Sequence, residues 1–546
     1  MEILQKALEA RSKKVNQIEK LKDIKTSIEA MEDLKSYASK GYSHITKEDF
    51  SYYFKCFGVF DKRKENGENS FMIRVRIPGG QLNSTQARVL GEVSRDYCNN
   101  SLDLTTRMQV ELRYIKIENL ALILEKLDEV GISTYQTGID NIRNILTDPL
   151  DGVASDCILE SMPILKELQD VFFKQEEWIG KLPRKFNTAI NGSFSNRCNI
   201  LGHDCCFYLA KKESKYGFNV ALGGKVGVVA SKTDIFLKDR SEVVQFFKAL
   251  IKIFKAYGFR DNRNKNRLYF LIEAIGIDTL IKAIKTESNC SFQSAGDEII
   301  NTEMFNSTSG FIKLKDATNA IHSIINAGVF NGVDMIRLAY LSDQYGSGNI
   351  RLTYEQNVFI LGVSDEDKNN LLTNSFFKTH KNINTPYINN LITCIGSKNC
   401  QFGIIETKGI SKEICEYLNS EIPLDKDEVV RLYWSGCIKG CGLDALGDIG
   451  FQGTKFKNEA KEMVHGINIT LGGKMTHHTE EGRLLYAKIS IEESKKNMKI
   501  LMHIYKTEKL DNETFEAFDT RVLSKLSIEE IQEKISLLHS LNGDKN

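Results

Sequence analysis

The chain repeats itself. Residues 90–110 lie over residues 338–358 at a constant offset of 248 without a gap, so that Ser94 meets Ser342, Tyr97 meets Tyr345, Leu104 meets Leu352, Thr105 meets Thr353 and Val110 meets Val358. Further on, Gly217-Phe-Asn-Val-Ala-Leu-Gly-Gly-Lys225 matches Gly466-Ile-Asn-Ile-Thr-Leu-Gly-Gly-Lys474 at six of nine positions, at an offset of 249. Two matches so far apart at nearly one offset describe two copies of a unit of about 250 residues. A pseudo-two-fold arrangement follows, with a ligand site expected between the copies, where domain interfaces favour one. Two independent, similar domains are the plainer alternative.

Within each copy strands alternate with helices. Apolar residues three and four apart (Ile18, Leu21, Ile24, Ile28, Met31, Leu34) predict helix, or a helical pair, over residues 1–46. Residues 71–77 read as a strand ended by Pro78-Gly79-Gly80, 86–97 as a helix, 104–117 as a strand and 120–130 as a helix. The class is mixed α/β or α+β. With 73 Lys and Arg against 72 Asp and Glu in 546 residues, no bulk charge calls for a nucleic-acid partner. The charged start and the lack of a long apolar run predict a cytoplasmic protein that neither enters nor crosses a membrane.

Twelve cysteines are too sparse for a disulfide scaffold, and four of them are paired: Cys394 with Cys400, five residues between, and Cys437 with Cys441, three between. Each pair sits in glycine-containing sequence after an apolar strand, so two loops can bring four thiolates to one soft metal centre. An iron–sulfur cube needs four cysteines and accepts this spacing. Zinc prefers tighter knuckles, and inert buried thiols are the remaining reading. Small residues by the second pair (Ser435, Gly436, Gly440, Gly442) would let backbone N–H groups approach the sulfurs. Cys56, Cys98, Cys157, Cys198, Cys205, Cys206, Cys290 and Cys415 have no such partners in sequence.

The first copy lacks paired cysteines and carries cations instead: Arg74 and Arg76, Arg107 and Arg113, Arg143, and Arg184-Lys185. Strand alternation predicts one face for Arg74 and Arg76. Arg forks and a Lys point charge suit carboxylates and oxyanions, so the set suggests a pocket for a polyanionic cofactor and a small anion. The Gly-Gly-Lys loops fail the phosphate-loop pattern, because Asn219 and Asn468 stand where its first glycine belongs and Val226 and Met475 follow the lysines. With no dinucleotide fingerprint either, electrons must come from a partner protein.

These residues resemble the siroheme-dependent nitrite and sulfite reductase family, over almost the whole chain from about residue 50. The family's cysteine motif is matched by Cys394, Cys400, Cys437 and Cys441. Thr-Thr-Arg (105–107), Asn-Ile-Arg-Asn (141–144), Leu-Pro-Arg-Lys-Phe (182–186), Gly-Phe-Asn-x-x-x-Gly-Gly (217–224) and Asp-Ile-Gly-Phe (448–451) are family-like too. The resemblance implies an internally duplicated α+β fold, with two ferredoxin-like half-domains and two larger α/β domains related by a pseudo-two-fold. It divides the chain into a helical segment 1–62, a half-domain 63–140, an anion and siroheme domain 141–310, a second half-domain 311–384 and a cluster domain 385–546.

It also implies roles. Cys394, Cys400, Cys437 and Cys441 would hold a 4Fe–4S cluster, with Cys441 also the axial thiolate of the siroheme iron. Arg74, Arg143 and Lys185 would bind the anion on the open face. Arg107 and Arg184, with Arg113, would serve the macrocycle. The expected reaction is six-electron reduction of nitrite to ammonia with reduced ferredoxin as donor; sulfite to sulfide with the same cofactors is the alternative. Asn187 stands where sulfite reductases carry a second Lys and nitrite reductases Asn, Arg113 stands where nitrite reductases tend to have Arg, and Ile-Glu-Thr-Lys (405–408) also leans to nitrite. A non-enzymatic metal scaffold docking through its helical ends is the third expectation. Departures from the family are Ile438-Lys439 for Pro-Asn, and Met108 and Glu111 for glutamines.

Overall fold

The computed structural model describes residues 4–10, 14–62, 69–299, 310–380, 386–426, 428–458, 460–474 and 480–543. Four sheets carry the fold, and they come as two small and two large. The first small sheet runs Val59–Asp61, Phe71–Arg74, Val110–Ile115, Leu102–Leu104, and is completed by Val329–Phe330 from the other copy. The second runs Phe311–Lys313, Asn319–Ser323, Val358–Val363, Asn349–Leu352, and is completed by Gln81–Asn83 from the first copy. Each copy therefore lends one strand to the other, and independent domains are excluded.

The exchange follows a strict internal symmetry. Gly80 (φ +70°) and Gly328 (φ +65°) turn the chain out of each copy in a left-handed conformation. A Cβ at Gly80 would lie 2.7 Å from the carbonyl of Leu352, and one at Gly328 2.8 Å from that of Leu104. The two glycines, and the two leucines they face, keep the offset of 248 seen in sequence. Asn83 and Asn331 then cap the helices Ser84–Tyr97 and Gly332–Tyr345 through their side-chain oxygens. These helices cross so closely that Gly91 and Gly332 face each other's carbonyls. Leu90, Leu338, Leu104 and Leu352 share one hydrophobic core that spans both small sheets.

The large sheets repeat one topology. Ile142–Leu146, Phe186–Asn191, Cys205–Lys212, Lys215–Leu222 and Ser231–Leu237 join by two parallel and then two antiparallel pairings. Leu391–Thr393, Leu432–Ser435, Ile449–Lys457, Met463–Leu471 and Arg483–Ile489 do the same. A long helix covers each. In Arg240–Tyr257, Val243, Phe246, Phe247, Leu250, Ile251 and Phe254 are buried at helical spacing; Ile491–Glu508 is its counterpart. Among the described residues no helix is long and apolar enough to cross a membrane.

Three expectations need correction. Residues 104–117 are not one strand: Thr105 to Met108 form a turn, with Met108 at φ +52°, between Leu102–Leu104 and Val110–Ile115. Arg74 and Arg76 do not share a face, because the strand ends at Arg74. The Arg76 guanidinium turns away and donates to the carbonyls of Tyr135, Gln136, Ile142 and Arg143. In the N-terminal segment the helices are Gln5–Ala10 and Ser27–Lys40, and Ile24 and Ile28 lie exposed. The apolar spacing there runs across the stretch between the two helices, tied down by Asn16 on the Arg260 carbonyl, and not along one helix.

Candidate active site

A cavity of about 390 Å³ opens between the copies, lined from one side by Arg74, Arg107 and Lys185 and from the other by Cys394, Cys400, Cys437 and Cys441. Local geometry explains each wall. Lys185 and Asn187 flank Phe186, so the strand sends both into the cavity and Phe186 into the core. Arg107 sits on the turn at residues 105–108. The Thr105 hydroxyl accepts from the Arg107 N–H at 3.3 Å and the Gln109 N–H at 3.2 Å. Asn144 anchors that turn, donating to the Arg107 carbonyl at 3.1 Å and to that of Ile77 at 2.7 Å. Asn141, the other end of the same motif, accepts from Gly180 N–H at 2.6 Å.

The thiol wall is equally local. Gly436 N–H donates to Cys394 Sγ at 3.0 Å and Gly396 N–H at 3.4 Å, as the small residues around the second pair led us to expect. Thr407 Oγ1 donates to the Cys394 carbonyl at 2.6 Å, so the Ile-Glu-Thr-Lys segment braces the first loop. Lys408, the next residue, is ion-paired with Asp103 across the interface. Thr106 Oγ1 donates to the Cys441 carbonyl at 3.4 Å, joining the arginine turn to the second thiol loop. Burial pushes the Cys394 thiol up to about 11, with Cys441 nearby adding to it. Among the described residues no three His, Cys, Asp or Glu groups gather as they would around one metal ion. A tetrahedral zinc site draws its sulfurs in to about 2.3 Å of one ion. Four thiols spread along one cavity wall suit a polynuclear cluster instead.

Electrostatics mark the cavity as an anion site. Nine Lys and Arg side chains line it against three Asp and Glu. The side chains of Arg107 and Lys185 have no hydrogen-bond or ion-pair partner among the described residues. Burial, then the neighbouring Arg107 and Arg267, push the Lys185 ammonium well below the usual lysine range. Burial, then Arg74, Arg107 and Arg184, do the same to Arg143. The Arg143 Nε and the Asn187 Oδ1 are buried without partners. Unpaired charges and orphaned polar atoms in one place are costly unless something of opposite sign fills the space.

Not every expected residue reaches the cavity. Arg143 lies beside it, donating to the carbonyls of Thr137 and Ile139. Arg184 donates to the Arg263 carbonyl at 3.1 Å and lies 4.0 Å from Asp140. Arg113 reaches the wall but is 1% exposed and ion-paired with Asp103 and Glu111. Conversely, Lys62, His203, Lys225 and Arg267 line the cavity and were not singled out. Lys225 belongs to the Gly-Gly-Lys loop, and the repeat alone could have flagged it. Its duplicate Lys474 is ion-paired with Glu480 at 2.9 Å. Arg267 is held on Asp204 at 2.9 and 2.6 Å, and Asp204 also accepts the Asn187 N–H at 2.8 Å.

The nitrite and sulphite reductase 4Fe-4S domain matches residues 138–292 and 385–538, and the nitrite/sulfite reductase ferredoxin-like half domain matches residues 62–130 and 312–373. The chain belongs to this family. Its members use siroheme and a 4Fe–4S cluster. The chain is 30% identical to a ferredoxin–nitrite reductase of Synechococcus elongatus over 89% of its own length and 95% of that protein. It is 26% identical to an assimilatory ferredoxin-dependent nitrite reductase of Haloferax mediterranei over 89% of its length and 88% of that protein. Its fold matches the NirA protein of Mycobacterium tuberculosis with a TM-score of 0.87 at 24% identity, over 95% of this chain and 98% of that one. The paired half domains and paired large domains of the family are the two small and two large sheets described above.

Proposed function

We propose that this protein reduces nitrite to ammonia with six electrons from a ferredoxin. The balanced change is NO2− + 6 e− + 8 H+ → NH4+ + 2 H2O. The observation that carries the reading is the cavity in which four thiols face the unpaired cations Arg107 and Lys185. In this reading Cys394, Cys400, Cys437 and Cys441 ligate the cluster, and Cys441 also serves the siroheme iron. Arg107 would neutralise the macrocycle's carboxylates, with Arg184 beside the cavity and Arg113, already paired with Asp103 and Glu111, supporting the wall. Arg74 and Lys185 would face the anion with Arg143 beside them, its field reaching the cavity, and the chain divides at residues 62, 140, 310 and 384. When bound, the two cofactors supply the redox centre that takes electrons singly and delivers them to the anion.

The chain's own residues do the rest. Fixed cations stabilise charge that builds on oxygen as electrons arrive, without reorganising at that moment. Lys185 Nζ, its ammonium destabilised by burial and by Arg107, gives up a proton more readily than a free lysine. It is therefore a proton source at the oxygen that leaves as water. Asn187 supplies a neutral polar group where a lysine would add charge, which favours a monoanion over sulfite, substantially dianionic near neutral pH.

Two measurements test this. The purified protein should show the absorption of siroheme coupled to an iron–sulfur cluster; a colourless, zinc-loaded protein would eliminate both reductase readings. With a chemical reductant, kcat/KM for nitrite should exceed that for sulfite; the reverse order would make it a sulfite reductase.

A further inference from the structure

The cavity face of the first small sheet carries a carboxylate amid the cations. Glu111 stands opposite Arg74 on one neighbouring strand and opposite Asp103 on the other, and Arg113 follows two residues along the same face. Glu111 Oε1 accepts both Nε and Nη2 of Arg74, at 2.9 and 2.7 Å. Its other oxygen takes Arg113. The third nitrogen of Arg74 donates to the Thr137 carbonyl at 3.1 Å. Arg74 is thus the one cation of the proposed anion set that a carboxylate both orients and neutralises.

We propose that Glu111 is a positioning residue that sets the anion selectivity of this cavity, by fixing Arg74 and cancelling its charge so that a monoanion is favoured over a dianion. The proposal rests on reading the cavity as an anion-reducing site. Strand pairing alone does not require this ion pair. At the same offset in the second small sheet, Arg74 and Glu111 become His322 and Phe359, which are again strand partners, with rings 4.5 Å apart. The duplicated sheet forms with no acid at that position. In the first sheet the acid is spent at the cavity, where Lys185 and Arg107 stay unpaired. A dianion gains twice as much as a monoanion from each net positive charge, so cancelling one charge costs the dianion more. At cavity distances and an effective dielectric of ~20 to 80 that difference is worth about tenfold in relative affinity.

The test compares Glu111→Gln, which removes the charge and keeps the shape, with Glu111→Asp, which keeps the charge. Two quantities are measured on the holoenzyme: the ratio of kcat/KM for sulfite to that for nitrite, and the dissociation constants of both anions from optical titration of the oxidised protein. Glu111→Gln should raise the sulfite-to-nitrite ratio about tenfold in both measurements, by the Coulomb argument above. Glu111→Asp keeps the charge, so the difference between dianion and monoanion is preserved and the ratio should stay within about twofold of the parent. A merely structural role would lower activity on both anions together and leave the ratio unmoved. The proposal is overturned if Glu111→Gln leaves the ratio unchanged, or if Glu111→Asp shifts it as far. It is also overturned if Glu111→Gln folds without siroheme while Glu111→Asp retains it, because the carboxylate would then hold the cofactor site together. Failure of the underlying reading looks different: the parent protein itself would reduce neither anion.

Discussion

The two copies bring the same turn to one cavity with opposite charge. In the first, Thr105-Thr106-Arg107-Met108 opens onto the cavity and reaches the Cys441 carbonyl through Thr106. In the second, Thr353-Tyr354-Glu355-Gln356 occupies the same position, so Arg107 is mirrored by Glu355. Burial raises the Glu355 carboxyl, and Asp148 nearby adds to it. Tyr354 accepts from Asn199 at 2.7 Å, and Arg197 spans Asp148 and Asp156. The loops divide the same way. Gly436 gives its N–H to Cys394, whereas a Cβ at Gly192, after the equivalent first-copy strand, would lie 1.9 Å from the Leu159 carbonyl. Both turns border the cavity, the second through Tyr354 and Gln356, but only the first sends a cation into it; Glu355 does not line it and lies near Asp148 and Arg197. Duplication supplied two equivalent turns on one cavity, and charge reversal leaves only the first with a cation facing it.

The sharpest way to break this contrast is at the thiols. Cys441→Ser should abolish the spectroscopic coupling between siroheme and cluster and reduce nitrite turnover by at least ~10²-fold, since Cys441 would be the thiolate that both groups share. A coupled spectrum in that variant would show the bridge to be misassigned. Next come the mirrored turn and its neighbours. Lys185→Met should lower kcat for nitrite about 10²-fold with cofactor content intact, the usual cost of losing one preorganised charge at a developing oxyanion. Glu355→Gln should leave kcat within about twofold, since it neutralises a half-buried acid that does not line the cavity. Equal losses in the two variants would mean that the second turn also serves the reaction.

Much of this was readable in the sequence because it rests on local spacing. The repeat gave the pseudo-two-fold, and the paired cysteines and the motif at residues 182–186 reached opposite walls of one cavity. Strand exchange was not readable: Gln81–Asn83 and Val329–Phe330 are too short to carry a periodic signal, and their partners lie in the other copy. The turn at residues 105–108 was hidden because its apolar flanks run continuously on either side and Met108 takes a left-handed conformation without a glycine to announce it. Arg76 and Arg113 looked like candidates on charge alone. Only tertiary contacts separate an arginine satisfied by carbonyls or carboxylates from one left unpaired.

A smaller effect sharpens the comparison at Asn187. Asn187→Lys places a second ammonium beside Lys185 in the first copy and should raise the sulfite-to-nitrite ratio of kcat/KM about fivefold, since one pocket charge sets only part of a specificity difference. An unchanged ratio would remove Asn187 as a selectivity determinant and leave the cations themselves to explain any preference.

The smallest expected effect is on stability, and it separates the two small sheets by pH. Burial alone would raise the Glu111 carboxyl, yet Arg74 and Arg113 hold it down at about 2. A carboxyl depressed in the folded state stabilises the fold fully above its unfolded value of ~4.3, and that contribution is lost as pH falls toward the folded value. Glu111→Gln should therefore lower Tm at pH 7, with a stability loss of roughly 3 kcal/mol, and the gap from the parent protein should close between about pH 5 and pH 2. Its mirror, Phe359, does not titrate, so Phe359→Leu should shift Tm by the same amount at both ends of that range. A Glu111→Gln deficit independent of pH would mean that the carboxylate acts through shape and hydrogen bonding, with its charge irrelevant to how the first sheet is held.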